Sequence, residues 1–550
     1  MPAIFYVPEA YSTEAERLMG RNAAGESFLQ GYLSYAQDPK VYAWIVDPKH
    51  QESLLKKVQQ YAPGKELQII TPDTLHKLRE AQVLYLPGPS LSDFAFKRSL
   101  FGDTAFSICG LTHTTCTTRV MDGLTNYITA PIQPWDALIC TSRVVQKNVE
   151  RVLQAQVDYL KARLGLQKLV LPQFPIIPLG IHTQDFVFND MVRTHARNQL
   201  KLDPETCAVL FVGRLSFNAK AHPVPMYEAL EAVRQKSGKK IVLLECGWHA
   251  APFIQQSYQQ AAKAICPSVP VLTLNGRDRT TRNLAYAAAD IFCSLSDNIQ
   301  ESFGLTPLEG MAAGLPVVVS DWDGYKDTVR DGVDGFRVKT LMPQAGLGLD
   351  LANRYALEQD NYDMYCGYTC CFIGVDVPQT TNALLQLVNS KELRHNLGRA
   401  GQQHVREIYD WSKIIPRYER LWAELTKLRL QAQATQDYKP KAMPWPARLD
   451  PFFAFANYAQ GELTLDTTVA LVDPDYASAE KRLRNLCSLT MIDIFKKIIP
   501  NSAALLKILQ LLGTGPKPCR ILLTPFSDQQ KPFMFRSLLF LYKFNIIRVI

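Results

Sequence analysis

The stretch ESFGLTPLEGMAAGLPVVVSDWDGYKDTV, residues 301–329, has the pattern of a helix followed by a buried strand. One strand-like apolar run ends just before it, near Leu295, and Pro316–Ser320 forms a second run within it. Between them, Thr306 precedes Pro307, a pair typical of a helix N-cap followed by the first helical residue. Strand, loop, helix and strand in this order make a βαβ unit, which predicts a parallel sheet.

The same alternation of strand-like runs and helical patterns extends outward over most of the chain. The first series of runs comprises Ala3–Val7, Val41–Val46, Leu67–Thr71, Gln82–Leu86, Ala105–Cys109, Ala137–Thr141 and Phe174–Leu179. The second series comprises Cys207–Val212, Ile241–Glu245, Val269–Leu274, Asp290–Leu295, Pro316–Ser320 and Gly335–Val338. The segment 185–205 between the series is polar and lacks strand character, which indicates a domain boundary. We therefore expect two doubly wound, Rossmann-like domains, which bind ligands at the carboxyl ends of their strands.

This pattern divides the chain into four parts. Residues 1–195 are predicted to form the first Rossmann-like domain and residues 196–427 the second. Segment 428–448 is polar and contains prolines, as in a linker. Residues 449–550 are predicted to be a mostly helical module. Residues 491–550 carry nine Lys and Arg against two Asp, a net charge of +7 out of +8 for the whole chain.

Composition excludes several classes of protein. The 550 residues are 47% apolar and 20% charged, so a disordered chain is excluded. No apolar run approaches the roughly 20 residues needed to span a bilayer, and the N-terminus lacks a secretory signal pattern. We therefore expect a cytoplasmic protein. The twelve cysteines are scattered, which favours reduced thiols, and the cluster Cys366, Cys370 and Cys371 has neither a second CxxC nor a nearby His for zinc.

The loop that opens the central helix has the features of an anion site. The amides of residues 303–305 precede or begin a helix, where N–H groups are free to bind anions. Gly304 allows a ligand to approach the backbone closely. Glu301 and Glu309 flank this loop, and Glu309 has a structural alternative, because Thr306 and Glu309 have the spacing of a capping box.

In these segments the chain resembles the family-4 retaining glycosyltransferases, also called glycosyl transferases group 1, of the GT-B fold. The resemblance covers roughly residues 1–425. It is carried by ESFGLTPLE at 301–309 with the following AAGLPVVVSD, FVGRLSFNAK at 211–220, IPLGIHTQDF at 177–186 and GLTHTT at 110–115. It implies an α/β GT-B fold, with two Rossmann-like domains facing a cleft. It also implies sugar transfer from a nucleotide-diphosphate sugar to an acceptor hydroxyl, with retention of configuration.

The resemblance further implies roles for residues of the second domain. Glu301 would face the donor sugar, and Glu309 would bind the ribose hydroxyls. The donor-binding set is completed by Phe303, Gly304, Leu305 and Thr306. Arg214 and Lys220 would bind the diphosphate, because a guanidinium and an ammonium can offset the charge that grows on it. The structural alternative is two solvated surface cations.

Residues of the first domain are also implied, on weaker motifs. His113 would lie over the donor sugar, or would simply be a loop residue bonded to backbone. Gly20 and Gly25 would form an N-terminal loop facing the donor phosphate or the acceptor. Asp321 and Asp323 mimic a metal-binding DxD signature, but they follow a strand of the second domain and are not interpreted as a metal site.

The sequence thus predicts a metal-independent glycosyltransferase without a cofactor, in which the nucleotide sugar is a substrate. A nucleotide-sugar epimerase and a non-catalytic binding or scaffold protein are the alternatives. The acceptor can be a glycan, a lipid-linked molecule or a small molecule. For residues 491–550 three hypotheses stay open: a helical cap, contact with the inner face of an anionic membrane, and a winged-helix-like nucleic-acid module. Nucleic acid is not expected, because no base-reading helix can be named.

Overall fold

A computed structural model describes residues 2–13, 20–435 and 444–550. The chain divides into two compact units, Met1–Pro446 and Ala447–Ile550. The first unit begins with a parallel sheet of six strands in the spatial order β3-β2-β1-β4-β5-β6. These strands are β1 (Pro2–Phe5), β2 (Lys40–Trp44), β3 (Glu66–Ile70), β4 (Val83–Tyr85), β5 (Ser107–Leu111) and β6 (Ala137–Ile139).

A second parallel sheet of six strands follows in the same unit, in the order β12-β11-β10-β7-β8-β9. Its strands are β7 (Cys207–Leu215), β8 (Ile241–His249), β9 (Val271–Asn275), β10 (Ile291–Ser294), β11 (Val317–Ser320) and β12 (Gly335–Val338). When each sheet is numbered from its own first strand, both have the order 3-2-1-4-5-6 of a Rossmann fold. The predicted pair of doubly wound, Rossmann-like domains is confirmed.

Helices connect the strands and cover the sheets. Those of the first domain are α1 (Gly20–Tyr35), α2 (Gln51–Tyr61), α3 (Leu78–Ala81), α4 (Ser92–Ser99), α5 (Thr118–Thr125) and α6 (Arg143–Leu164). Next come α7 (Asp190–Gln199), α8 (Val224–Ser237), α9 (Pro252–Ile265), α10 (Arg279–Ala288), α11 (Leu305–Ala312) and α12 (Tyr325–Thr328). A short antiparallel ribbon, β13 (Thr340–Leu341) with β14 (Gly374–Val375), encloses α13 (Leu349–Ala356) and α14 (Tyr362–Cys370). The unit ends with α15 (Val377–Asn389), α16 (Lys391–Ile408) and α17 (Trp411–Thr435).

Several predicted strands differ from the structure, including β8, which extends to His249 instead of ending at Glu245. Residues Phe174–Leu179 lie in an extended loop, where isolated bridges join Ala137 to Gln173 and Cys140 to Ile176. β7 is longer than predicted, because it pairs with β8 as far as Leu215. Arg214 therefore lies inside β7 near its carboxyl end, rather than after it.

The boundary predicted after residue 195 falls inside α7, which packs on the second domain. Arg193 and Arg197 of α7 both bond the Asp290 carboxylate, at 2.6 and 3.1 Å. Their guanidinium groups also donate to backbone carbonyls at the end of α10, including Ala288 at 3.0 Å. Charged side chains that are shared in this way fix α7 to the second sheet, so the domain boundary precedes Asp190.

The last helix of the second domain returns to the first. Trp411, at the start of α17, is fully buried, and its Nε1 donates to Ser27 Oγ of α1 at 2.7 Å. Further along α17, the rings of Tyr418 and Trp422 pack near Tyr85 of β4. The predicted linker 428–448 is thus wrong at its start, since α17 continues to Thr435; its residues 436–443 lie outside the described residues.

The unit Ala447–Ile550 has its own core and is mostly helical, as predicted. It also contains a small antiparallel sheet, β16-β15-β17, formed by β15 (Thr468–Leu471), β16 (Lys517–Pro518) and β17 (Ile547–Val549). The helices are α18 (Pro451–Ala454), α19 (Tyr476–Cys487), α20 (Thr490–Asp493), α21 (Ser502–Leu512), α22 (Cys519–Leu522) and α23 (Lys531–Lys543). Leu483, Leu505, Leu509 and Leu538 are buried together against the sheet. Among the described residues, no helix has both the length and the apolar character needed to cross a bilayer.

Candidate active site

The two charged residues nearest the centre of the site are Lys220 and Glu301. β7 and β10 are neighbouring parallel strands, so the loops that follow them meet at one edge of the sheet. There the Lys220 ammonium contacts Glu301 Oε2, and the two side chains are only 19% and 13% exposed. Burial alone would lower the pKa of Lys220, but the charge and hydrogen bond of Glu301 raise it above its usual range. Both groups are therefore held as a desolvated ion pair.

Arg214 reaches the same edge from within β7. Its NH2 donates to the carbonyl of Ala219 at 2.7 Å and to Gln300 Oε1 at 3.3 Å. Arg214 is thus tied to both loops that form the ion pair of Lys220 and Glu301. The alternative of two solvated surface cations is not what the structure shows, because each cation has protein partners and Lys220 is largely buried.

Asn298 holds these two loops together. Its side chain is fully buried, and its Nδ2 donates to the Asn218 carbonyl at 3.1 Å. Its Oδ1 accepts from the Gln300 amide at 3.1 Å. One carboxamide therefore fixes the loop that carries Lys220 relative to the loop that carries Glu301.

Gly304 opens α11 and can be no other residue in this conformation. Its φ is +81°, in the left-handed region. A Cβ built on it would lie 2.0 Å from Cε1 of Tyr325. Since helix α11 begins at Leu305, the amides of Phe303, Gly304 and Leu305 lie at its N-terminus, where N–H groups have no partner within the helix. The helix N-terminus expected at this loop is therefore present, and anion binding there stays a prediction.

The predicted cap of this helix is wrong. Gly304, rather than Thr306, is the N-cap residue, because its left-handed backbone starts the helix two residues earlier. Thr306 Oγ1 is buried and bonds no group in the part of the chain that the structure describes. The capping box also does not form, since Glu309 Oε2 instead accepts a hydrogen bond from the Tyr286 hydroxyl at 2.6 Å. Burial raises the pKa of Glu309 above its usual range.

The first domain contacts the backbone beside Glu301. The hydroxyls of Thr141 and Ser142, at the start of α6, both donate to the Ser302 carbonyl, at 3.2 and 3.1 Å. Thr112 Oγ1 in turn accepts from the Thr141 amide at 3.2 Å. Thr141 is therefore the single residue between Thr112, in the loop after β5, and Ser302, in the loop of Glu301.

His113 lies in the loop after β5. Its Nε2 contacts the Pro87 carbonyl. Burial lowers the pKa of His113, and the nearby charge of Arg21 lowers it further, so the imidazole is neutral near pH 7. This is the backbone-bonded loop histidine of the structural alternative, and its place over a donor sugar stays a prediction.

The predicted N-terminal glycine loop is wrong. Gly20 and Gly25 both lie in helix α1. A Cβ on Gly25 would lie 1.9 Å from the Ala10 carbonyl oxygen, so this glycine allows α1 to pack closely on the turn before it. Glycine here serves packing, which a single sequence cannot distinguish from a ligand loop.

The DxD-like turn after β11 contacts the first domain. Asp323 has a left-handed φ of +41°, and its Oδ1 accepts from Ser142 Oγ at 3.4 Å. Burial, together with the nearby charge of Glu301, raises the pKa of Asp323 well above its usual range. Asp321 instead lies 3.5 Å from Arg337. Within residues 2–13, 20–435 and 444–550, no group of three or more His, Cys, Asp or Glu is placed to hold a metal ion.

Several groups of the site were missed by sequence analysis. Ser142 precedes a predicted helix and caps it, so its position carried a signal, but its bond to Ser302 depends on tertiary structure. Tyr286 and Gln300 lie in stretches without a motif. They could be recognised only when the fold had brought them to Glu309 and Arg214.

Comparison with known proteins agrees with this site. Residues 192–345 match the family model of glycosyl transferases group 1. A D-inositol 3-phosphate glycosyltransferase of Nocardia farcinica is 33% identical over 151 residues, 27% of this chain and 32% of the relative. A phosphatidyl-myo-inositol mannosyltransferase of Mycobacterium leprae is 32% identical over 146 residues, 26% of this chain and 29% of the relative.

The solved structure of Anabaena Alr3699/HepE in complex with UDP is similar to 79% of this chain and 100% of its own, with a TM-score of 0.47 and 12% identity.

The first three curated relatives are matched over about a third to a half of their own lengths. The matched segment contains all four charged residues of the site, Arg214, Lys220, Glu301 and Glu309. The resemblance inferred from sequence is therefore confirmed over residues 192–345, the part that matches the model of glycosyl transferases group 1.

Proposed function

We propose that this protein transfers a sugar from a nucleotide-diphosphate sugar to an acceptor hydroxyl, with retention of configuration and without a metal. The observation that carries this proposal is the buried pair of Lys220 and Glu301 beside Arg214, at the N-terminus of α11. Two cations and a helix N-terminus favour a polyanion such as a diphosphate. A carboxylate beside them favours a neutral polyhydroxyl group such as a sugar.

The ion pair of Lys220 and Glu301 changes partners when the donor binds. When the diphosphate binds, Lys220 exchanges the Glu301 carboxylate for phosphate oxygens, and the carboxylate is released toward the sugar hydroxyls. Glu309 accepts hydrogen bonds from the ribose hydroxyls, while the Tyr286 hydroxyl orients the Glu309 carboxylate. Arg214 and Lys220 then offset the negative charge that grows on the diphosphate as it departs.

Retention follows from a front-face displacement. The departing phosphate oxygen takes the proton of the acceptor hydroxyl, so that the new bond forms on the face that the diphosphate leaves. No protein nucleophile is needed, and the contribution of the protein is orientation and charge stabilisation.

Ligand-induced stabilisation tests the donor. The melting temperature is measured with UDP-, GDP- and ADP-sugars, and we expect one class to raise it. At a hundred times its Kd, such a ligand increases the free energy of unfolding by about 2.7 kcal/mol. Turnover of that donor with and without an acceptor then separates a transferase from an epimerase, which would consume the donor alone. The anomeric configuration of the product tests retention. A chain that no nucleotide sugar stabilises or reacts with contradicts the proposal.

The same proposal includes contact with an anionic membrane through residues 491–550. Met491 of α20 and Ile494 and Ile498 of the turns that follow it are all more than half exposed. Lys497, on the same turns, is also exposed. Exposed aliphatic side chains beside basic ones are typical of segments that lie in the membrane interface. Such contact would suit a lipid-linked acceptor.

A further inference from the structure

The connection between β12 and α15 contains helices α13 and α14, closed by the ribbon of β13 and β14. Apart from the cluster of Cys366, Cys370 and Cys371, residues 340–375, which we call the α13–α14 segment, have none of the motifs used in the sequence analysis. They nevertheless contact both Rossmann-like domains beside the candidate site.

On one side, the α13–α14 segment bonds the loop that follows His113. The Thr118 amide donates to the Tyr355 hydroxyl at 3.2 Å. The Cys116 thiol donates to the Tyr362 hydroxyl oxygen at 3.7 Å, and it lies 3.9 Å from Cys366 Sγ. Thr118 is exposed, but Cys116, Tyr355 and Cys366 are buried and Tyr362 is half-buried, so most of this contact lies in the packed interior.

On the other side, the α13–α14 segment bonds the loops of the second domain. The Tyr362 hydroxyl donates to Gln300 Oε1 at 3.3 Å, and this oxygen also accepts from Arg214 NH2 at 3.3 Å. Close packing supports the contact, because a Cβ on Gly367 would lie 2.9 Å from Cβ of Asn218. Tyr362 is therefore two hydrogen bonds away from the guanidinium of Arg214.

In this series of hydrogen bonds, the donor and the acceptor of each bond are fixed. The Tyr362 oxygen accepts from the Cys116 thiol, which leaves its own proton for Gln300. Gln300 must present its oxygen to Arg214, because a guanidinium has only donors. Gln300 Nε2 is buried and has no hydrogen-bond partner among the described residues, so the carboxamide is held by its oxygen.

We infer that Tyr362 is a positioning residue of the donor site, which fixes Gln300 and through it the orientation of Arg214. The inference rests on the proposed function, since it gives Arg214 its role at the diphosphate. In the absence of the Tyr362 hydroxyl, the Gln300 carboxamide loses one of the two donors that hold its oxygen. Arg214 then has a mobile partner when charge develops on the diphosphate.

The test is Tyr362→Phe in the full chain, assayed with the nucleotide sugar that the wild type uses. We expect kcat to fall about fivefold to tenfold, the range for one lost hydrogen bond, with a smaller change in the donor KM. Tyr365→Phe is the matched control, because Tyr365 lies one helical turn further along α14 and its ring stacks on Tyr355 at 4.3 Å. It should keep the wild-type kcat.

A double-mutant cycle separates positioning from general packing. If Tyr362 acts through Gln300, then Tyr362→Phe should lower kcat no further in a Gln300→Ala background. Additive losses overturn the inference, as does a Tyr362→Phe variant with wild-type kcat in an active enzyme. A wild type that binds none of UDP, GDP and ADP and uses none of their sugars overturns the proposed function first, and the inference with it.

Discussion

At the scale of single residues, the site depends on charges that are desolvated before any ligand binds. Lys220 and Glu301 compensate one another, and Arg214 is oriented by Gln300. A preorganised group of this kind costs no rearrangement at the moment when charge develops. Removing Glu301 would leave the Lys220 ammonium buried without its partner, so the stability of such a variant must be measured together with its activity.

We expect Glu301→Ala and Arg214→Ala each to reduce donor-dependent transfer about a hundredfold or more, the order of magnitude for losing a charge-stabilising group. Glu301→Ala removes the carboxylate proposed to face the sugar. Arg214→Ala removes a cation proposed to offset the diphosphate charge. Steady-state kinetics on folded variants measures both effects.

Exposed charges of the same domain provide the controls for this prediction. Glu228 of α8 and Lys263 of α9 are exposed. Glu228→Ala and Lys263→Ala should therefore retain wild-type turnover. If Glu301→Ala and Arg214→Ala also did so while folded, their assignment to the site would be wrong.

At the scale of elements, α17 connects the domains that α6 and the Glu301 loop bring together. Trp411 fills a space in which Gly31 and Gly180 have no room for a side chain, since a Cβ on either would lie 2.6 Å from its ring. The ring also packs near Phe28, with the centroids 5.8 Å apart. The start of α17 is therefore a central part of the first core.

We expect Trp411→Ala to lower the free energy of unfolding by about 3–5 kcal/mol, the range for truncating a buried aromatic side chain. Denaturant titration followed by circular dichroism measures the change. Ile408→Ala, at a half-exposed position just before α17, is the control and should have a small effect. Equal stability of the two variants would show that α17 contributes no more than a surface helix.

The turn after β11 gives a second prediction at this scale. Asp323 bonds Ser142 and Asp321 pairs with Arg337, so both carboxylates have protein partners. Because the proposed diphosphate site uses Arg214 and Lys220, we expect transfer activity to survive a strong chelator such as EDTA. Activity that is lost with EDTA and returns with Mg²⁺ or Mn²⁺ would contradict this and assign a metal to the turn.

The sequence alone predicted the features of the fold that depend on residues close together along the chain. Strand–helix alternation identified both sheets, and the ends of helix α6 are encoded locally, because Ser142 caps its start and Gly165 ends it. The elements it mispredicted depend on distant partners. Phe174–Leu179 is apolar but does not pair as a strand of the sheet, and Gly25 allows α1 to pack closely on Ala10.

At the scale of the whole molecule, the positive charge is concentrated in residues 491–550. Residues 491–550 carry a net +7, whereas the remaining 490 residues carry +1. A cation near an anionic membrane contributes about 1 kcal/mol, so several of them together with exposed aliphatic side chains can hold a protein at the surface. The structure also leaves the helical-cap hypothesis open, because Leu538 and Leu541 fill the core of the unit itself.

We expect the full chain to bind anionic phosphatidylserine-containing vesicles more tightly than neutral phosphatidylcholine vesicles, with an affinity that falls as salt increases. Ile494→Asp should weaken binding, because Ile494 is 77% exposed and contributes to the apolar face rather than to the core. A chain ending at residue 448 should lose binding and keep its fold, since Met1–Pro446 is a compact unit by itself. Co-sedimentation at two salt concentrations measures all three. If the full chain does not bind anionic vesicles even at low salt, the membrane contact is wrong. Residues 491–550 are then a helical cap with solvated cations on its surface.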